Sequence, residues 1–284
     1  MNLSTARVLL TGAAGGIGGA IAAELLGKGA TVLLVDVNEG ALRRFVASEP
    51  KVSADRVEVF AANLTCADDR ARLAEFARTW RGGINVLINN AGVSHFRLLE
   101  NQPAEEVDLA LAVNVQAPIH LCRLLLPHLQ RQPEAHILNT GSVFGGIGYA
   151  AYSVYSATKF AIRGFSEALR RELAGTSVQV HYLAPRATRT GINTAAVESM
   201  NAELGVAMDT PPVVARAACE MLEKGTLEAV VGWPEKFFVR LNALFPRLVD
   251  GSLRKQLPVI RRHAGAGVPA ATTETTLQST RTPT

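Results

Sequence analysis

Seven short apolar runs, separated by stretches of helical periodicity, constrain this chain more than any other feature. The runs fall at residues 7–11, 31–36, 56–60, 85–89, 136–140, 178–183 and 229–232. They are apolar throughout rather than alternating, as strands are when both faces of their sheet are covered. Between them, residues 17–29, 39–48, 68–80 and 105–129 repeat apolar side chains at helical spacing, as does the segment carrying Tyr155. Pro118 marks a local irregularity in the long 105–129 helix. Strand–helix alternation with right-handed crossovers gives an α/β fold, a doubly wound parallel sheet of the Rossmann type in three α/β/α layers. No internal linker divides it, so residues 1–263 form one domain.

Beyond Pro185 the alternation weakens. Helical candidates remain at 194–208 and 212–223, followed by the last strand. A basic extension starts at about residue 233 and runs to 263. It holds seven basic residues (Lys236, Arg240, Arg247, Arg254, Lys255, Arg261 and Arg262) and two acidic ones (Glu235 and Asp250). The whole chain has 29 Lys and Arg against 25 Asp and Glu, so this segment supplies the entire positive excess. A net charge of +4 is too small to imply a nucleic-acid partner. Residues 264–284 are rich in Thr, Ala and Pro and read as a disordered tail.

Cys66, Cys122 and Cys219 lie far apart and form no metal or redox spacing, which fits a reducing, cytoplasmic setting and no bound metal. Residues 1–11 hold no signal-peptide core. No uncharged run approaches the ~18 residues of a membrane span.

Four groups of chemistry-bearing residues sit at strand ends. Gly12, Gly16, Ile17 and Gly18 occupy the turn between the first strand and first helix, where glycines let backbone approach a pyrophosphate and helix N–H groups face it. The spacing departs from the literal dinucleotide fingerprint. Asp36 ends the second strand, where a carboxylate accepts bonds from ribose hydroxyls and repels a 2′-phosphate, favouring NAD over NADP. Asn63 and Leu64 follow the third strand and suit the flank of an adenine. Asn90, Ala91 and Gly92 follow the fourth and suit packing behind a nucleotide. Ser142 follows the fifth strand, and Tyr155 and Lys159 stand four apart on the next helix, on one face. A cation about 5–6 Å from a phenol favours phenolate by about two pKa units at an effective dielectric of ~20.

The joint order and spacing of these groups, from Arg7 to Gly232, resembles the short-chain dehydrogenase/reductase family in its compact single-domain branch. The resemblance implies Tyr155 as general acid/base, and Lys159 as the group that lowers the Tyr pKa and binds the nicotinamide ribose. It implies Ser142 as the donor to substrate oxygen and Asn114 as a holder of a relay water. It places Pro185, Thr188 and Thr190 beside the cofactor. Two positions depart from the family pattern: Arg186 stands where Gly is usual, and Asn63 where Asp is usual. Arg186 has three readings: an altered backbone, an approach to cofactor phosphates, or a side chain in solvent.

The cleft candidates Val93, His95, Phe96, Phe144, Ile147, Tyr149 and Ile192 are mostly apolar and suggest a hydrophobic secondary alcohol or ketone. An NADPH-dependent 3-oxoacyl or lipid ketone reductase is the alternative enzyme, and a nucleotide-sensing scaffold the non-enzymatic one. Residues 194–208 lie where the family has a mobile substrate lid. The aromatic-basic segment 233–263, broken by Pro234, Pro246 and Pro258, reads either as an extension packed on the fold or a partner subunit, or as a weak contact with a membrane surface. Similar proteins form homodimers or homotetramers.

Overall fold

The computed structural model describes residues 1–50, 53 and 55–265. Seven parallel strands form one sheet: β1 Arg7–Thr11, β2 Thr31–Asp36, β3 Val57–Ala61, β4 Val86–Asn89, β5 Ala135–Thr140, β6 Val178–Ala184 and β7 Glu228–Val230. Their order is β3-β2-β1-β4-β5-β6-β7. The chain reverses its direction of travel between β1 and β4, and the crevice outside the strand ends there is where ligands of such sheets bind. Period-two geometry divides each apolar strand between two cores. Val8 and Leu10 face one, with Ile21 and Leu25 of α1 (Gly16–Gly27) and Val214 and Leu222 of α8 (Pro211–Lys224). Leu9 faces the other, with Leu73 of α3 (Ala67–Thr79), Leu121 of α5 (Ala117–Leu129) and Leu169 of α6 (Ser153–Glu172). The helix α2 (Glu39–Ser48) completes the first layer through Leu42.

The expected 105–129 helix is α4 (Ala104–Leu111), a π turn over Ala112–Gln116, and α5. The irregularity lies one turn before Pro118, because Pro118 has no N–H to return to the Asn114 carbonyl. Ala104–Leu129, although it carries charges and so is no uncharged run, is long and apolar enough to cross a membrane by length and composition. Here Leu121, Cys122, Leu125 and Leu129 are spent against the sheet side of the core.

The segment after β6 holds α7 (Ala195–Glu203), shorter than predicted, then α8. The extension from residue 233 folds as α9 (Glu235–Leu244), α10 (Pro246–Arg254) and α11 (Leu257–Gly265). All three of its prolines sit where the missing N–H costs nothing: Pro234 caps α9, Pro246 opens α10 and Pro258 is the second residue of α11. Ala264 and Gly265 therefore belong to a helix rather than to the tail, and the tail reading for residues 266–284 lies outside the described residues.

Two histidines are buried side by side between β5 and β6. The His181 Nδ1–H must donate to the Thr226 carbonyl at 2.8 Å, so its Nε2 accepts from His136 Nδ1 at 2.8 Å. Burial holds both pKa values down, His181 to about 4. The unfolded rings bind protons near pH ~6.5 and the folded His181 does not until about 4, so stability falls as pH drops through that window. About 2 kcal/mol should be lost by pH 5 through His181 alone. Urea midpoints of wild type and His181→Gln between pH 7 and 5 check this; equal slopes would refute it.

Candidate active site

The glycine turn is shaped by close approach. Gly12 has φ +66°, and a Cβ there would lie 2.7 Å from the Ala91 Cα. A Cβ on Gly18 would overlap the Gly12 carbonyl oxygen. The turn is tied to the loop after β4 by Thr11, whose hydroxyl accepts from the Asn90 and Ala91 N–H groups at 3.0 and 3.1 Å. The Asn90 amide returns bonds to the carbonyls of Thr11 and Gly12. Asp36 reaches over the turn, accepting from the Ala14 N–H at 3.1 Å with one oxygen and from Asn38 with the other.

These residues fit a nicotinamide dinucleotide. The N-cap of α1 is Gly15, with no side-chain cap, so the first N–H groups of the helix, Gly16, Ile17 and Gly18 among them, remain available to an anion. Thr190 lies against Gly16, which brings the loop after β6 beside that cradle. Pro185 accepts from the Val143 N–H, and Thr188 is buried with its hydroxyl on the Arg186 carbonyl. Asn63 is exposed, and its side chain is occupied by Thr65 in an Asx turn at the start of α3. The Leu64 side chain is buried in the core, so only its backbone is left for a ligand.

The reacting side is equally constrained. Ser142 caps a short turn, accepting from the Phe144 N–H at 3.1 Å. Tyr155 lies in the first turn of α6, and the Ser142 side chain acts on its phenol. Lys159 is buried and donates from Nζ to the Thr140 carbonyl at 3.0 Å, with Nζ 5.5 Å from the Tyr155 ring centroid. Asn114 holds both backbone groups of Val93 at 2.8 Å and donates to the Thr158 hydroxyl. Thr158 in turn donates to the Tyr155 carbonyl. The Asn114 side chain is thus wholly used in positioning.

The expected depression of the Tyr155 pKa by Lys159 is not what the protein itself produces. Burial pushes the phenol up to about 12, opposed by the Ser142 side chain. Burial also lowers the Lys159 ammonium to about 8. The ammonium spends its bond on Thr140 and meets the ring rather than the hydroxyl, which weakens its pull.

Of the cleft candidates, Phe96, Phe144 and Tyr149 gather with Tyr152 and Tyr155 into one aromatic wall. Phe144 and Tyr149 stack at 5.0 Å and Phe96 meets Tyr152 at 5.2 Å. His95 presents a buried Nδ1 with no protein partner among the described residues. Ile192 is exposed and makes no described contact with the wall. A cleft of about 630 Å³ opens beside the 189–193 loop and α7.

Arg186 follows none of its three readings. Its guanidinium lies 2.7 Å from Asp209 and 3.3 Å from Glu235, and donates to the Trp233 carbonyl at 2.9 Å. It ties the end of β6 to the start of α9. The sequence also gave no hint of Gln256, which accepts from the Tyr149 hydroxyl at 2.6 Å across 107 positions. Thr11 and Thr158 were findable, since each adjoins a motif whose polar backbone needs a partner.

A glycine cradle, a carboxylate reaching over it and a Ser–Tyr–Lys set along one parallel-sheet edge define a nucleotide-dependent oxidoreductase. Residues 6–201 match the family model described as short chain dehydrogenase. The chain belongs to the short-chain dehydrogenase/reductase family, as an oxidoreductase of CH–OH groups with NAD or NADP. An oxidoreductase of Bacillus subtilis named DltE is 35% identical over 196 residues, covering 68% of this chain and 75% of that one. The 3-oxoacyl-[acyl-carrier-protein] reductase FabG of Thermotoga maritima is 31% identical over 185 residues, covering 65% and 75%. A short-chain dehydrogenase/reductase from Burkholderia phymatum, solved with NAD, superposes with a TM-score of 0.78 at 26% identity, over 87% of this chain and 96% of that one.

Proposed function

We propose that the protein interconverts a hydrophobic secondary alcohol and its ketone with NAD(H). The observation that carries the reading is the buried Lys159, with Nζ 5.5 Å from the Tyr155 ring, set with Ser142 against an aromatic wall at the edge of the glycine turn. The bound dinucleotide supplies the hydride acceptor or donor. Ser142 donates to the substrate oxygen, and the Tyr155 hydroxyl gives or takes that oxygen's proton. Lys159 holds the ribose side and keeps positive charge near the phenol. Phe96, Phe144 and Tyr149 bind the apolar substrate and exclude water. His95, with its unpaired Nδ1, orients a polar substituent.

Asp36 supports NAD over NADP, because a carboxylate beside the ribose repels a 2′-phosphate. Wild type is expected to bind NADH more tightly than NADPH, and Asp36→Ala to close most of that gap. Titrations followed by fluorescence check it, and stronger NADPH binding by wild type would overturn it. The second reading, an NADPH-dependent 3-oxoacyl reductase, is favoured by the name of the Thermotoga maritima relative. A screen of graded alcohols, ketones and 3-oxoacyl thioesters with both dinucleotides separates the two.

The apolar Leu109, Leu111 and Phe160, exposed on adjoining helices, support a homodimer or homotetramer. Free cysteines, two of them buried, support a reducing, cytoplasmic setting.

A further inference from the structure

The helices α9–α11 have two faces of opposite character. The inner face is bolted to the active-site side. Val239 of α9 is buried against Gly146, and Asn242 donates to the Gly146 carbonyl at 2.8 Å. Val249 of α10 is buried, Gln256 takes the Tyr149 hydroxyl, and Ile260 of α11 packs with Val197 and Met200 of α7. Glu203 of α7 receives both Arg262 and His263 at 2.8 Å. The extension therefore roofs the aromatic wall and clasps α7.

The outer face is apolar where a surface should be polar. Trp233, Phe237, Phe238, Leu244, Phe245 and Leu248 are all exposed, Leu244 at 73% and Trp233 at 71%. On α9, Phe237 and Leu244 are seven apart and lie opposite Val239, so the direction farthest from the fold is apolar. Around them stand Lys236, Arg240, Arg247, Arg254 and Lys255, exposed and with no ion-pair partner among the described residues. Of the two acids in the segment, Glu235 is spent on Arg186 and only Asp250 remains.

We propose that this face docks on an anionic lipid surface, with the aromatic and leucine side chains entering the interface and the five cations meeting headgroups. Charge complementarity selects this occupant. A second copy docked through the same face would be related by a twofold axis, setting cation against cation across a thin apolar seam. A bilayer offers an apolar layer bounded by negative charge, which matches both parts of the patch. The docked face is the back of the cleft roof, so a hydrophobic substrate of the kind proposed above would be drawn from the lipid beside it. That last step rests on the proposed function, whereas docking itself does not.

Flotation with vesicles of phosphatidylcholine, with and without phosphatidylserine, tests the docking without any turnover measurement. Full-length protein should float with the serine-containing vesicles at low salt and stay behind with the neutral ones. Each basic residue near such a surface strengthens partitioning about fivefold, so Arg240→Glu with Arg247→Glu should reduce flotation by more than tenfold. Leu244→Ser with Leu248→Ser should also reduce it, with thermal unfolding unchanged because both residues are exposed. No flotation at low salt overturns the proposal. So does equal flotation with neutral vesicles, or a concentration-dependent dimer by sedimentation that the Leu244→Ser, Leu248→Ser variant abolishes.

Discussion

Tyr155→Phe is expected to lower turnover about a thousandfold while NADH binding and thermal stability stay unchanged. Positioned proton transfer contributes roughly 10²–10⁴ in rate, and no other described side chain is placed to replace this hydroxyl. The ring would remain against Phe144 and Tyr152, so the wall is preserved. The direction of the pKa shift adds a second readout. Burial holds the Tyr155 phenol protonated well past neutrality, its pKa pushed up to about 12. Ketone reduction needs the protonated form and should stay flat through neutral pH, whereas alcohol oxidation needs the ionised form and should climb with pH. Stopped-flow rates in both directions check the pair. A Phe variant that retains wild-type turnover would remove Tyr155 from the chemistry and overturn the proposed proton-transfer mechanism.

Much of this site was legible because its parts lie at or just after strand ends, where continuous apolar runs stop abruptly. Gly12, Asp36, Asn90 and Ser142 each mark such a stop, and Tyr155 opens the helix that follows the last of them. What the sequence could not reveal were partnerships made by long side chains across the fold. Arg186 reads as an anomaly beside Pro185, because its partners Asp209 and Glu235 lie 23 and 49 positions later, beyond the regular strand–helix alternation. Charge arithmetic found the basic segment but not its two-faced character, since the burial of Val239 and Val249 depends on where the helices land. The sign of the Tyr155 shift failed for a related reason. Helical spacing gives the Lys159 distance correctly, but burial of both groups outweighs their mutual attraction.

That burial has a consequence for stability, and it carries the other large expected effect. Lys159 is a charge enclosed by protein, its pKa lowered from 10.5 to about 8. Below pH 8 it is protonated in both folded and unfolded chains, so the full cost of burying the charge, roughly 3 kcal/mol, is present. Between pH 8 and 10.5 the folded chain loses the proton first, so this cost fades as pH rises. Lys159→Met removes the charge and the bond to Thr140, which as a bond from a charged group is worth about 2 kcal/mol. The variant should therefore be more stable than wild type at pH 7 by about 1 kcal/mol, or about 3 °C in Tm for a chain of this size. The difference should shrink toward pH 10, a comparison in which the buried cysteines and tyrosines cancel. Turnover should be lost together with tight dinucleotide binding. Differential scanning calorimetry of both proteins across that range decides it: a variant less stable at pH 7 would mean that the ammonium's hydrogen bond outweighs its burial. A stable, inactive Met variant would instead show that the cation is retained at a cost, for a purpose other than holding the fold together.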